Sequence, residues 1–62
     1  MAQIGNVFYD EFNGRYITVD GVGTDPNVYA CVVEEFNDNG DIEVVGRQLF
    51  TAGELAHFEL LH

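Results

Sequence analysis

A chain of 62 residues with eleven acids, two arginines and no lysine carries a net charge of −9, which sets it against direct binding to phosphate backbones or anionic membranes. The length allows one small domain, and the single cysteine, Cys31, excludes an internal disulfide. Apolar residues make up 47% of the chain and include five Phe and three Tyr, enough for a small core and too many for a disordered acidic segment.

Short β-type runs are broken by turn residues at intervals of about ten. Residues 4–9 form a first run, closed by Asp10, Glu11 and Asn13-Gly14, a strong hairpin signal because both residues tolerate positive φ. A second strand is predicted over 15–19, with Ile17 and Val19 inward and Tyr16 and Thr18 on the other face. Residues 20–27, closed by Asp25-Pro26, read as a loop. Val28–Phe36 is the longest run and the predicted central strand, its unbroken apolar stretch pointing to partial burial on both faces.

Residues 37–41 make a second hairpin turn. A fourth strand follows over 42–49, with Ile42 and Val44 on one face, Glu43 and Val45 on the other, and Gly46 marking either a bulge or a close backbone approach. Thr51, three residues before Glu54, fits a capping box that starts one helical turn over 52–57. A closing strand over 58–61 completes the chain. The alternative is a four-stranded antiparallel sheet with a continuous C-terminal helix over 52–61, disfavoured because Gly53 costs about 1 kcal/mol relative to Ala inside a helix. The predicted inward set is Ile17, Val19, Val32, Ile42, Val44, Leu55 and Phe58.

Four strands, one helical turn and a fifth short strand are the parts of a five-stranded Src-homology-3-like barrel. The chain resembles that family in its Gly5-x-Val7 opening, its Gly14-Arg15 turn and its Leu49-Phe50…Leu55…Phe58 ending. In outline, over most of its length, it is similar to small barrel proteins of bacteriophages and other mobile elements. The resemblance implies a mostly β fold and a binding module, without naming a ligand, because such barrels host many functions. The chain departs from peptide-binding members in having no Trp, which puts a proline-rich ligand in doubt.

No catalytic constellation emerges. Cys31 with His57 or His62 is the one Cys–His combination, but Cys31 sits among Ala30, Val32 and Val33 in an acidic protein, where a thiolate is disfavoured. The run 37–41 has oxygen side chains before Gly40, yet the position of the bidentate Glu in a calcium loop falls on Gly46. One Cys and two distant His do not make a closed zinc site. The acid pairs Asp10-Glu11 and Glu34-Glu35 read as solvated, since acid–base work needs a desolvated member. Gly21-x-Gly23 lacks a Lys and is flanked by Asp20 and Asp25, which repel phosphate. The expectation is a protein that is not an enzyme and uses no metal or cofactor.

What remains is recognition. Tyr9, Phe12, Tyr16, Tyr29 and Phe36 exceed what so small a core holds, and aromatics rimmed by acids suit docking of Arg or Lys. The expected function is a non-catalytic acidic protein that occupies the basic, nucleic-acid-binding surface of a larger protein by imitating the spaced charges of a phosphate backbone. A phage-encoded inhibitor of a host defence system such as CRISPR fits this size and charge. The expected contact residues are Glu34, Glu35, Asp38, Asp41 and Glu43, with Tyr29 and Phe36. The alternative is a structural or accessory module of a phage or mobile element that forms a homo-oligomer, a homodimer being the simplest. No basic leader segment or apolar run of about 20 residues is present, so a cytoplasmic location is expected, that of the host if the protein is phage-encoded.

Overall fold

In the computed structural model, which describes residues 2–62, the elements follow as β1 Val7–Asp10, β2 Arg15–Val22, β3 Val28–Phe36, β4 Ile42–Thr51, α1 Ala52–Leu55 and β5 Glu59–Leu60. All paired strands are antiparallel, and the ladder runs β4-β3-β2-β1-β5. The fold is mostly β with one short helix near the C-terminus, as the alternation of runs and turns predicts. The continuous C-terminal helix is absent.

The expectation of a barrel is corrected in one respect. β4 and β5 stand at opposite ends of the ladder without pairing, so the five strands form an open sheet. β5 has two residues, too few to hold a seam against the ten of β4. The sheet curls nonetheless. The Arg15 guanidinium, at the start of β2, lies 5.6 Å from the ring centroid of Phe50, near the end of β4. Leu55 and Phe58 pack against the concave face, with the Phe50 and Phe58 rings edge-to-face at 5.9 Å.

Directly opposed residues of an antiparallel ladder share a face, so the register sorts the side chains. Phe8, Ile17 and Val33 form one inner row, Val19 and Cys31 the next, Tyr29 and Phe50 a third. All seven are buried, and Leu55 from α1 completes the core. Ile17, Val19 and Leu55 are therefore inward as predicted, and Phe58 is half-buried against them. Val32, Ile42 and Val44 are not. β3 turns Tyr29, Cys31 and Val33 inward, which leaves half-buried Val32 on the outer face. Ile42 and Val44 lie opposite Phe36 and Glu34 on that same outer face, 48% and 61% exposed.

Element boundaries shift for local reasons. Residues 4–6 turn instead of extending β1: Gly5 takes a φ of 97°, its N–H donates to Val19 O, and Asn6 N–H donates to Gln3 O. β2 runs on to Val22 because an extra residue, Asp20, is absorbed between the pairs Val19↔Cys31 and Gly21↔Ala30, and this shortens the following loop. Of the two readings of Gly46, the bulge is the one present: Val33 pairs Gly46 and Glu34 pairs Val44, so Val45 is the extra residue. β4 continues to Thr51, whose Oγ accepts from Glu54 N–H while Thr51 N–H donates to Glu54 Oε1. That capping box ends the strand and starts α1.

Candidate functional site on the acidic hairpin

The conventional centres of chemistry are occupied by structural duties. Cys31 is fully buried, and its Sγ donates to Tyr29 O at 3.7 Å. Burial, followed by the nearby charge of Asp20, pushes the thiol up to about 11, so it is a neutral thiol at physiological pH. Thiol labelling of the native protein at neutral pH is therefore expected to proceed only as fast as the fold opens. Rapid stoichiometric modification without denaturant would make Cys31 a reactive centre. In the turn 37–41, Asn37 Oδ1 accepts from Asn39 N–H and Asp41 N–H at 2.9 and 3.1 Å, which spends the oxygen on the backbone. Among the described residues no group of three His, Cys, Asp or Glu side chains is placed to hold a metal ion. An apolar groove between the N-terminal turn and α1, lined by Ala2, Phe8, Leu55, Ala56 and Leu60, holds no ionisable group.

Both arginines are committed elsewhere. Asp10, expected to be solvated beside Glu11, is instead wholly buried at the end of β1, because it gathers the turn that follows it. Its Oδ1 accepts from the N–H groups of Phe12 and Asn13, and its Oδ2 accepts from Asn13 Nδ2 at 2.8 Å and Arg15 Nε at 2.9 Å. Burial raises the pKa of this carboxyl, but the bonds from Asn13, Arg15 and Phe12 together outweigh it and hold the group below its ordinary value of 3.8. The connection from Asp10 to Arg15 thus has four residues, and only Gly14 takes a positive φ, of 63°. Asn13 instead serves through its amide. Arg47 on β4 reaches across β3 to pair with Asp20, the extra residue of β2. Nine acids are left without a basic partner among the described residues.

Five of those nine sit on the β3–β4 hairpin. Asp38, Asp41 and Glu43 are exposed, while Glu34 and Glu35 are half-buried. Glu35 and Glu43 are directly opposed in the ladder and share the inner-face side of the sheet. Like charges in that position destabilise a sheet. Arg15 is the cross-strand neighbour of Glu35 on β2, yet its ion pair is with Asp10. Neither Glu35 nor Glu43 has an ion pair among the described residues, so the hairpin end brings two acids to opposed positions without a basic partner.

Strand alternation divides the expected contact residues. Glu34 faces outward beside Tyr16, its partner on β2, and Phe36 lies on the same outer face, 58% exposed. Tyr9, Tyr16 and Phe36 form a continuous aromatic stripe there, with centroid separations of 5.1 and 6.0 Å. Glu35 and Glu43 belong to the opposite face, and Asp38 and Asp41 to the turn beyond both. Tyr29 leaves the set: it pairs Phe50 and is buried at 5% exposure, so its ring belongs to the core. Tyr9 and Tyr16 join the stripe through cross-strand pairing, which only the register reveals. No family model, no curated protein and no solved structure matches this chain.

Proposed function

We propose that the protein is a non-catalytic acidic binding module whose β3–β4 hairpin docks on a basic, nucleic-acid-binding surface of a larger protein. The observation that supports this most directly is the opposed pair Glu35 and Glu43, left unneutralised while both arginines serve Asp10 and Asp20. A repulsion that costs stability is retained where a cationic partner relieves it. Asp38 and Asp41 extend the charge to the tip, and Glu34 with the Tyr16 and Phe36 rings offers cation–π and ionic contacts on the outer side. The narrower role consistent with this chemistry is inhibition by nucleic-acid mimicry, of the kind a phage-encoded inhibitor of a host defence system such as CRISPR performs.

Reversing Asp38 and Glu43 to Lys tests the reading. A lysine at 43 faces Glu35, so stability is expected to hold or to rise by about 0.2–1 kcal/mol, the scale of a cross-strand charge pair. Affinity for a basic partner is expected to fall by about tenfold or more, equivalent to about 1.4 kcal/mol. The measurement is calorimetric titration against a panel of purified nucleic-acid enzymes, CRISPR effector complexes included, with competing duplex DNA. The control reverses Glu11 and Glu59, which alters net charge equally away from the hairpin. Equal weakening by both double variants, or no DNA-displaceable partner in the panel, would sink the hairpin as a recognition face.

A further inference from the structure

β4 is a free edge of the sheet, and its outward-pointing N–H and C=O groups have no strand beside them among the described residues. It is ten residues long, and every residue but Phe50 is exposed. Four large apolar side chains stand on it: Ile42 at 48% exposure, Val44 at 61%, Val45 at 51% and Leu49 at 62%. Lys and Pro, which commonly guard an edge against pairing, are missing from it. A long edge with exposed apolar side chains is a template for another strand.

The composition of the edge indicates which strand. β4 carries one acid, Glu43, and one base, Arg47, and is locally neutral in a chain of net charge −9. It is thus a part of the molecule where two copies approach at low electrostatic cost. The opposite edge, β5, has two residues, one of them Glu59.

The bulge at Val45 makes β4 complementary to itself. It reverses side-chain parity midway, so Ile42 and Val44 share the outer face with Arg47 and Leu49, while Glu43 shares the inner face with Gln48. A two-fold axis between Val45 and Gly46 sets Ile42 against Leu49 of the second copy, Glu43 against Gln48 and Val44 against Arg47. Every pair keeps its face, and no like charges meet. Without the register shift the same alignment would oppose outer-face residues to inner-face ones. We propose that β4 pairs antiparallel with β4 of a second copy, joining two curled sheets into one through this register. The two acidic hairpins then point to opposite ends of the dimer. The proposal needs no basic partner, and it shares only Glu43 with the acids assigned to the hairpin's role.

Sedimentation equilibrium of the full chain alone, over a range of concentration and salt, is the test. The expected result is a reversible dimer that strengthens as salt screens the repulsion between copies. Leu49→Lys and Ile42→Glu each break the apolar pair twice in a symmetric interface, so each is expected to weaken association by about tenfold or more. Combined in one chain they place Lys against Glu across the axis, and the double variant is expected to recover most of the loss. Within one strand the two positions lie seven residues apart, so recovery reports contact between copies. Val22→Lys, an equally exposed position off β4, is the control and is expected to leave association unchanged. Circular dichroism of each variant establishes that the fold is retained. A monomer at every concentration overturns the proposal. So does a dimer indifferent to both single variants, a double variant no better than either single one, or β4 amides protected only when a different protein is added.

Discussion

Asp10→Ala is expected to remove about 3–5 kcal/mol of stability, the scale of stripping one partner from a buried ion pair. The whole domain holds only about 3–9 kcal/mol at roughly 0.05–0.15 kcal/mol per residue, so this variant is expected to be largely unfolded or close to it. The effect is large because one carboxylate serves four donors. Its loss orphans the Phe12 and Asn13 N–H groups, the Asn13 amide and the Arg15 guanidinium together. It also frees Arg15 from its place over the Phe50 ring, which couples the first hairpin to the end of β4. The measurement is urea unfolding followed by circular dichroism. A loss below about 1 kcal/mol, the range of exposed surface pairs, would show that the turn holds itself without Asp10.

Acid titration of Asp10→Asn separates the charge from the shape. The folded carboxyl titrates below its ordinary value of 3.8, so the stability it supplies is complete above that value and is lost as pH falls through the lower folded one. The gap between the parent protein and Asp10→Asn is therefore expected to be flat from neutral pH to about 5 and to narrow below about 4. A gap that persists unchanged into strong acid would assign the effect to packing alone.

Local chemistry was legible in the sequence to the extent that it was written in adjacent residues. The capping box at Thr51 and Glu54, the span Val28–Phe36, the turn at 37–41 and the bulge at Gly46 all follow from short-range rules, and each is present. What misleads is anything set by pairing across the sheet. The run Val28–Val33 is apolar on both faces, so its alternation does not say which face is inner. Placing Val32 inward carries Ile42 and Val44 with it, because the β3–β4 register ties the two strands together. The same ambiguity puts Tyr29 among the contact residues when its partner Phe50 holds it in the core. The concentration of acids on the hairpin is visible from charge density alone. Their division between faces, the opposition of Glu35 and Glu43, and the diversion of Arg15 to Asp10 belong to the register and the turn, which composition does not encode.

Leu55→Ala is expected to cost about 2–5 kcal/mol, the range for emptying a fully buried leucine site. Leu55 is 2% exposed and is the one buried residue α1 contributes. α1 has four residues, and an isolated helix of fewer than about 12 residues is marginal in water. The capping box, this side chain and the bond from Ala52 N–H to Asn27 O at 2.8 Å hold it in place. Its loss also loosens the segment that delivers β5 to β1, where Val7 N–H donates to His62 O at 2.7 Å and Leu61 N–H donates to Val7 O at 2.8 Å. Two readouts are expected to move together: the urea midpoint falls, and the Val7 and Leu61 amides exchange faster than those of β2 and β3. Ile4→Ala, at 66% exposure, is the comparison and is expected to stay within about 0.5 kcal/mol of the parent. If Leu55→Ala lowers the midpoint while the Val7 and Leu61 amides keep their protection, the β1–β5 seam stands without α1. If it lowers neither, the concave face is filled without the leucine, and the tail is an ornament on a four-stranded core.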